Sequence, residues 1–380
     1  MLGHPFVRSL PIIGVCVVLA ACGSKTNDPQ PPVSPTNPSP PAPGTLTAPA
    51  PVSPMNGEQL STLRPTLTVQ NGSSTGQGAK TYDFQVSDRA DFTLGPTLSG
   101  SAAFIVSVTQ SGVDEGGDGR TSFTTPELQP TTRMYWRARL VQGTSASDWS
   151  APAMFRTKLV GYSRAGELYD PLIHGETIGT LFGATTFIAG KGIRLADQNA
   201  YVRYALAEVI PNGEFSVEVE GLHPNGPAHK LKIFSMSDTT GDTSDSDYQM
   251  STMYRGVDGN PPNCIAFKAV FGDDSRIVEP DKPTRERSVR SLNPAQTYFW
   301  KATWGSVFRL MVADGGVNGS PIYELELPAR SGSSYRPTYA YLGSNQSEFR
   351  SDAGTFPGAT YRHLWIGRGP RPATLGNALD

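Results

Sequence analysis

The sequence predicts an all-β protein: two sandwich-like modules behind a disordered proline-rich linker. Three observations predict it. Short segments that alternate apolar and polar residues recur from Thr66 onward, with turn formers between them. Gly (40) and Pro (33) are abundant among the 380 residues, while charged residues make up 17%, below the ~25% of ordinary globular chains. Residues 23–54 carry eleven prolines with Ser, Thr, Asn and Ala between them. That stretch has nothing to bury and favours extended polyproline geometry.

At the N-terminus, Met1 to Leu10 contains Arg8 and His4 and no acid, and Pro11 to Ala20 is apolar except for Gly14 and Cys16. This is the basic, then apolar, then small-residue pattern of a secretory signal. The apolar run is about half the ~20 residues that a spanning helix needs. It ends in Leu19-Ala20-Ala21-Cys22, which resembles the lipobox of bacterial lipoproteins. The resemblance implies cleavage before Cys22, lipidation of Cys22, and a lipid bilayer as partner. Gly23, rather than Asp, follows the cysteine, which in such lipoproteins points to an outer membrane. Expected segments are a signal peptide at 1–21, a flexible linker at 22–47, a first module at 48–158 and a second at 159–380.

Net charge is −2, which lacks the basic footprint of a nucleic-acid binder. Of three cysteines, Cys16 leaves with the signal and Cys22 takes lipid, so Cys264 is left alone and no disulfide is expected. Its flank, Ile265-Ala266-Phe267, makes it a packing residue rather than a nucleophile.

In the first module the expected strands are Thr66–Val69, Tyr82–Val86, Ala103–Val108, Tyr135–Leu140 and Ala153–Thr157, with loops at Asn71–Gly78 and Gly112–Gly119. Short strands at that spacing predict a β-sandwich. Pro51-Val52-Ser53-Pro54, Arg64-Pro65-Thr66-Leu67, Leu128-Gln129-Pro130, Tyr135-Trp136-Arg137-Ala138-Arg139 and Asp148-Trp149-Ser150 carry a resemblance to bacterial fibronectin type III domains. The resemblance implies that Trp136 is core and Trp149 an arginine-stacked edge residue. Met134 stands where the family has its corner tyrosine, so the corner hydrogen bond is expected to be absent or shifted.

In the second module Phe215, Val217 and Val219 share one strand face and Ser216, Glu218 and Glu220 the other. Leu231–Met236 reads as a central strand. Ile265/Phe267/Ala269/Phe271, Tyr298/Trp300/Ala302/Trp304, Phe308/Leu310/Val312 and Tyr323/Leu325/Leu327 alternate, and Leu364–Ile366 reads as a short last strand. So many strands in one module suit a two-sheet jelly roll. Gly190–Leu195, Tyr201–Tyr204, Gly213–Val219, Tyr298–Lys301, Tyr339–Gly343 and Leu364–Gly367 resemble concanavalin A-like lectin/glucanase domains of the laminin-G-like branch. That resemblance implies pairing of first and last strands, with residues near Phe187 against Trp365. The fold hosts binders and enzymes alike, so it does not fix activity.

Glu214, Ser216 and Glu218 have the spacing of a glycosidase carboxylate strand, but a serine stands at the central position. A solvated acidic face is the expectation. His174, His223, His229 and His363 are scattered without metal-ligand spacing. Asp238, Asp242, Asp245 and Asp247 fall within ten residues around Gly241, a carboxylate supply that suits calcium and equally suits plain turns. Sugar rings stack on aromatic faces, which makes Trp300, Trp304, Tyr254-Arg255 and Tyr335-Arg336 the candidate ligand-binding residues. Core packing is the competing reading for the tryptophans. With no catalytic set in view, the expectation is a lipid-anchored envelope protein whose second module binds carbohydrate or another surface ligand without catalysis. The alternatives are a polysaccharide hydrolase or lyase of this fold, and a purely structural envelope protein.

Overall fold

The computed structural model describes residues 44–93, 104–223, 230–242, 247–255, 264–272, 276–279, 292–327, 335–345 and 353–379. Cys22 and the linker as far as residue 43 lie outside them. The described chain is β throughout, apart from a 3-10 turn at Asn377–Leu379.

The first module holds β1 (Ala50–Ser53), β2 (Glu58–Gln59), β3 (Thr66–Gln70), β4 (Lys80–Ser87) and β5 (Ser107–Asp114). It continues with β6 (Arg120–Thr124), β7 (Arg133–Gln142), β8 (Ser145–Ala146) and β9 (Ala153–Arg156). One sheet runs β1-β3-β6; the facing sheet runs β2-β9-β7-β4-β5, with β8 on β7. Leu67, Val69, Tyr82, Phe84, Trp136, Leu140 and Phe155 fill the space between them. Trp136 is fully buried, and its Nε1–H donates to the Pro54 carbonyl at 2.7 Å. Trp149 lies between the Arg137 and Arg139 guanidinium groups, 4.8 Å from each.

One local expectation for this module needs correction. The stretch from Gly112 continues strand β5, which begins at Ser107 and reaches Asp114. Gly112, at φ 72°, accommodates an irregularity in the β4–β5 register, and its N–H donates to Asp83 Oδ1. At the corner Met134 is core, and the bonding passes to threonines: Gln129 Nε2 donates to Thr132 Oγ1 at 2.8 Å, and Thr157 Oγ1 to the Gln129 carbonyl at 2.7 Å.

The second module begins with β10 (Tyr162–Arg164), β11 (Glu167–Asp170), β12 (Thr180–Phe182), β13 (Thr185–Ile188), β14 (Gly192–Leu195) and β15 (Tyr201–Ala205). Then come β16 (Gly213–Glu220), β17 (Lys230–Ser237), β18 (Tyr248–Arg255), β19 (Cys264–Phe271) and β20 (Arg276–Glu279). It closes with β21 (Tyr298–Trp304), β22 (Phe308–Asp314), β23 (Ser320–Leu327), β24 (Tyr339–Leu342), β25 (Ala353–Thr355) and β26 (Thr360–Gly367).

Two sheets form. One runs β10-β11-β26-β16-β21-β22-β23, with the β13–β14 hairpin joined through β14 to β26. The other runs β12-β15-β24-β17-β18-β19-β20, with β25 parallel to β17. Every alternating apolar set anticipated above points into the space between the sheets. Phe215 of the first sheet stacks on Phe234 of the second at 3.9 Å between ring centroids. Burying one such ring contributes roughly 1.5–3 kcal/mol.

The last strand differs from its expected form. β26 is eight residues long and sits mid-sheet between β11 and β16. Trp365 pairs with Tyr169 and Ser216, while Phe187 pairs with Ile193 in the adjoining hairpin. Among the described residues the strand bearing Phe187 reaches β26 only through β14, and β26 pairs instead with β11 and β16.

Residues from Gly44 onward form one unit, in which the two sandwiches touch. The segment after β26 makes the contact. Asn377 Oδ1 accepts the Arg133 N–H at 2.7 Å, the Gly376 N–H reaches the Thr131 carbonyl at 2.9 Å, and Thr374 Oγ1 donates to Asp88 at 2.6 Å.

Candidate functional site

Strand alternation gives the β12–β20 sheet two very different faces. Val202, Met236, Met250, Tyr254, Phe267 and Leu342 point to the core. The opposite face is polar. Cross-strand register places Arg203, Tyr341, Ser235, Ser251 and Lys268 in one line over five adjacent strands. Four steps at ~4.8 Å give a line of about 19 Å perpendicular to the strands. A second line beside it runs Tyr339, Ser237, Gln249 and Val270.

The two ends of this face differ. Toward β12 and β15 it is an aromatic shelf, half-buried and therefore partly open to solvent. Tyr201 stacks on Phe182 at 4.5 Å and approaches Tyr341 at 5.9 Å, and the Arg203 guanidinium lies 4.8 Å from the Phe182 ring. Tyr341 is held in place: its hydroxyl donates to the Thr239 carbonyl at 2.6 Å, and burial pushes its pKa up to about 12. Toward β18 and β19 the face is a buried polar floor that includes Lys232, Ser235, Gln249, Ser251 and Arg255. Ser235 Oγ is satisfied by the Gly343 carbonyl at 3.0 Å. Gln249 is 1% exposed, and neither its amide nitrogen nor its oxygen has a partner among the described residues; the same is true of Ser251 Oγ. An unpartnered buried polar group costs ~1–3 kcal/mol, so three such atoms on one face call for an explanation.

The six candidate ligand residues separate sharply. Tyr254, Trp300, Trp304 and Tyr335 are core residues, each at most 3% exposed, and present no ring face to a ligand. The Trp304 Nε1–H is used by the Ile210 carbonyl and the Tyr335 hydroxyl by the Met236 carbonyl. Period-2 alternation is the reason: Trp300 and Trp304 share the core face of β21 with Tyr298 and Ala302. Arg255 is the one that lies on the polar face, opposite Cys264 on β19. Arg336 is exposed, outside the two lines. Sequence reasoning missed Phe182, Tyr201, Arg203, Tyr339 and Gln249. The available signal was the run of Ser, Gln, Lys and Tyr on the non-core positions of β17, β18, β19 and β24.

The acidic set of β16 also departs from expectation. Glu214 and Glu218 are buried, not solvated. Glu218 pairs with Arg362 at 2.8 Å, and Glu214 accepts Ser216 Oγ at 3.1 Å and the Arg371 N–H at 3.3 Å. Glu220 pairs with Lys191. The segment after β26 roofs this strand, a long-range contact that local pattern does not encode.

For calcium, Asp245 lies outside the described residues. Asp238 accepts the Tyr248 N–H at 3.3 Å and so closes the β17–β18 connection. Among the described residues no three His, Cys, Asp or Glu side chains are grouped to hold a metal. Cys264 is buried and free of disulfide.

The sequence matches no protein-family model and no curated protein. Among solved structures, it is similar to the botulinum neurotoxin serotype D/C binding domain, with 11% identity over 56% of this chain and 51% of that one and a TM-score of 0.36. It is similar too to the VIP36 exoplasmic/lumenal domain in its Ca2+/Man3GlcNAc-bound form, at 10% identity, 56% and 92% coverage and a TM-score of 0.36. Chicken CNTN1 FN1–FN3 domains give 9% identity, 75% and 69% coverage and a TM-score of 0.17. The chain spans about half the length of the first of these structures. At such values the likeness goes no further than the all-β architecture.

Proposed function

We propose that this is a lipid-anchored cell-envelope protein whose second module binds an acidic polysaccharide along its polar sheet face, without catalysis. The observation that carries the binding reading is the line Arg203–Tyr341–Ser235–Ser251–Lys268, whose two ends are half-buried, with the half-buried rings of Phe182, Tyr201 and Tyr339 at the Arg203 end. Its direction suits an extended polymer lying across the strands. The half-buried Phe182, Tyr201 and Tyr339 offer ring faces for stacking, and Arg203 and Lys268, also half-buried, offer donors to a polymer, while Ser235, Gln249, Ser251 and Tyr341 are buried. Arg203 and Lys268 stand at the two ends of the first line, and the two lines hold no carboxylate among the described residues. A cationic face with forked guanidinium donors selects carboxylate- or sulfate-bearing sugars over neutral ones. Two-carboxylate glycoside hydrolysis needs a carboxyl pair across the scissile bond, and this face supplies none among the described residues.

The anchor rests on the Leu19–Cys22 motif and the proline-rich stretch behind it, which would lift the modules from an outer-membrane surface. Two or more acyl chains hold firmly, at about 0.8 kcal/mol per buried methylene.

The test is affinity electrophoresis of the protein through gels carrying polygalacturonate, a sulfated glycan or neutral amylose. Retardation is expected in the acidic gels alone, to be weakened at high salt and reduced at least several-fold by Arg203→Ala or Lys268→Ala. Equal retardation by amylose, or none by any acidic polymer, overturns the binding reading. New reducing ends or unsaturated products overturn the non-catalytic one. Cys22→Ser is expected to release the protein from membranes in its native host, and retention of that variant on washed membranes overturns the anchor.

A further inference from the structure

A second unassigned site lies on the other sheet, under the segment that follows β26. Here β26 is irregular: Ser216 pairs with Trp365 and Glu218 with Arg362, so two β26 residues face one on β16. His363 sits in this bulge at φ 53°, a conformation that non-glycine residues rarely adopt. Such strain persists only where the surroundings enforce it, and it gathers at functional sites. The bulge breaks side-chain alternation and brings the consecutive residues Arg362 and His363 to the wall of one cavity of about 430 Å3. Glu218, Asn318, Arg371 and Asn377 complete its polar lining.

The groups around it are held in place. His363 is nine-tenths buried, and its Nδ1 lies 3.0 Å from the Tyr169 hydroxyl. Burial and the neighbouring Arg371 and Arg362 charges hold its pKa well below the ordinary histidine value, which keeps the ring neutral. When Tyr169 donates its hydroxyl proton to Nδ1, the neutral ring carries its hydrogen on Nε2. Arg371 donates through Nε and Nη2 to the Leu375 carbonyl, while its Nη1 is buried without a partner among the described residues. Gly376, at φ 93°, passes so close that an added Cβ would lie 2.5 Å from Arg371 Nη2 and 2.8 Å from the Tyr169 hydroxyl. Arg362 spends one donor on Glu218, the one carboxylate of the lining among the described residues. Among the described residues the lining sets two guanidinium groups and a neutral imidazole against one carboxylate, in a space of the size that holds a small ligand.

We propose that this cavity binds a small oxyanion, a carboxylate- or phosphate-bearing molecule, through Arg371, Arg362 and His363. It is distinct from the polymer-binding face, which belongs to the other sheet. The segment that closes the cavity also attaches to the first module through Thr374, Gly376 and Asn377, so an occupant would tighten the junction between modules.

The test uses the full chain, calorimetric titration and thermal shift, with three probes: inorganic phosphate, glucuronate and uncharged glucose. Saturable binding of phosphate or glucuronate, with no response to glucose, is expected, and the stronger of the two identifies the oxyanion source. His363→Asn keeps a residue that tolerates the left-handed conformation, and Arg371→Met keeps the stem; each is expected to weaken binding at least tenfold. Lys268→Ala, on the other sheet, is expected to leave this binding in place while weakening polysaccharide retention. No saturable response to either anion overturns the proposal. So does binding that survives both cavity variants, or binding that Lys268→Ala abolishes, since the anion would then be read by the polymer face.

Discussion

Replacing Gln249 by leucine should raise stability. Gln249 is 1% exposed on β18, between Ser237 and Val270 of the neighbouring strands. Its two amide heteroatoms have no partner among the described residues, and each such group costs ~1–3 kcal/mol when buried. Leucine has similar volume and no polar atom, and imperfect repacking returns less than about 1.5 kcal/mol. The net expectation is a gain of roughly 1–2 kcal/mol. In a module of this size that is a rise of about 2–8 °C in melting temperature, at ~2–4 °C per kcal/mol. The contrast is Ser235→Ala, on the same face but hydrogen-bonded to the Gly343 carbonyl. It loses a satisfied bond and should cost about 1 kcal/mol. Scanning calorimetry without ligand measures both changes. A Gln249→Leu protein that melts below wild type refutes the reasoning. The amide would then be structurally satisfied rather than unpartnered.

Three further outcomes are expected. Asp170 is buried and accepts bonds from Thr177, Ile178 and Tyr204, and burial, the dominant cause, lifts its pKa from 3.8 to about 6. Between those values the folded chain holds a proton that the unfolded chain has released. Its contribution is therefore full below pH 3.8, falls as pH rises to about 6 and is flat beyond. Asp170→Asn should flatten this slope by at most roughly 3 kcal/mol, at 1.36 kcal/mol per pH unit, in urea unfolding followed from pH 4 to 7. Trp136→Phe removes the bond to Pro54 and leaves a void in the first module, for a loss of about 2–4 kcal/mol by denaturant titration. Calcium titration should give no saturable heat, because Asp238 is already engaged by Tyr248. Saturable heat that Asp245→Asn abolishes would show that the loop completes a metal site.

The core was legible in the sequence because it follows from period-2 alternation and apolar identity, which are local. Phe215, Val217 and Val219, or Tyr298, Trp300, Ala302 and Trp304, point inward for the reason their spacing gives, and the structure buries all of them. That same rule argues against tryptophans as ligand platforms when they recur at even spacing within such a strand. The candidate site was illegible for the complementary reason. Its lines of Arg203, Tyr341, Ser235, Ser251 and Lys268 are cross-strand, and their members come from strands up to about 140 residues apart in order β15-β24-β17-β18-β19. Strand order cannot be read from the alternation of any one strand.

The acidic face of β16 failed as a solvated surface because Arg362 and the segment bearing Arg371 reach it only through the mid-sheet position of β26. The bulge at His363 has the same origin. Nothing in Arg362-His363-Leu364-Trp365 marks an irregular residue, since histidine carries no conformational licence of the kind glycine has. The left-handed backbone there is imposed by β16 on one side and by Pro171, whose carbonyl accepts the His363 N–H at 3.1 Å, on the other. A residue held in that way by its neighbours, with Tyr169 at one ring nitrogen and a cavity beside it, differs from scattered histidines in general. Its environment is what gives it chemistry, and that environment exists only after β11, β16 and β26 have paired. His363→Gly therefore separates the two roles of the position. It should relieve backbone strain, since glycine adopts this φ readily, and leave the β16–β26 pairing intact, while removing the imidazole from the cavity. A protein that unfolds on this change would show that the Tyr169–His363 bond, more than the bulge geometry, holds β11 to β26.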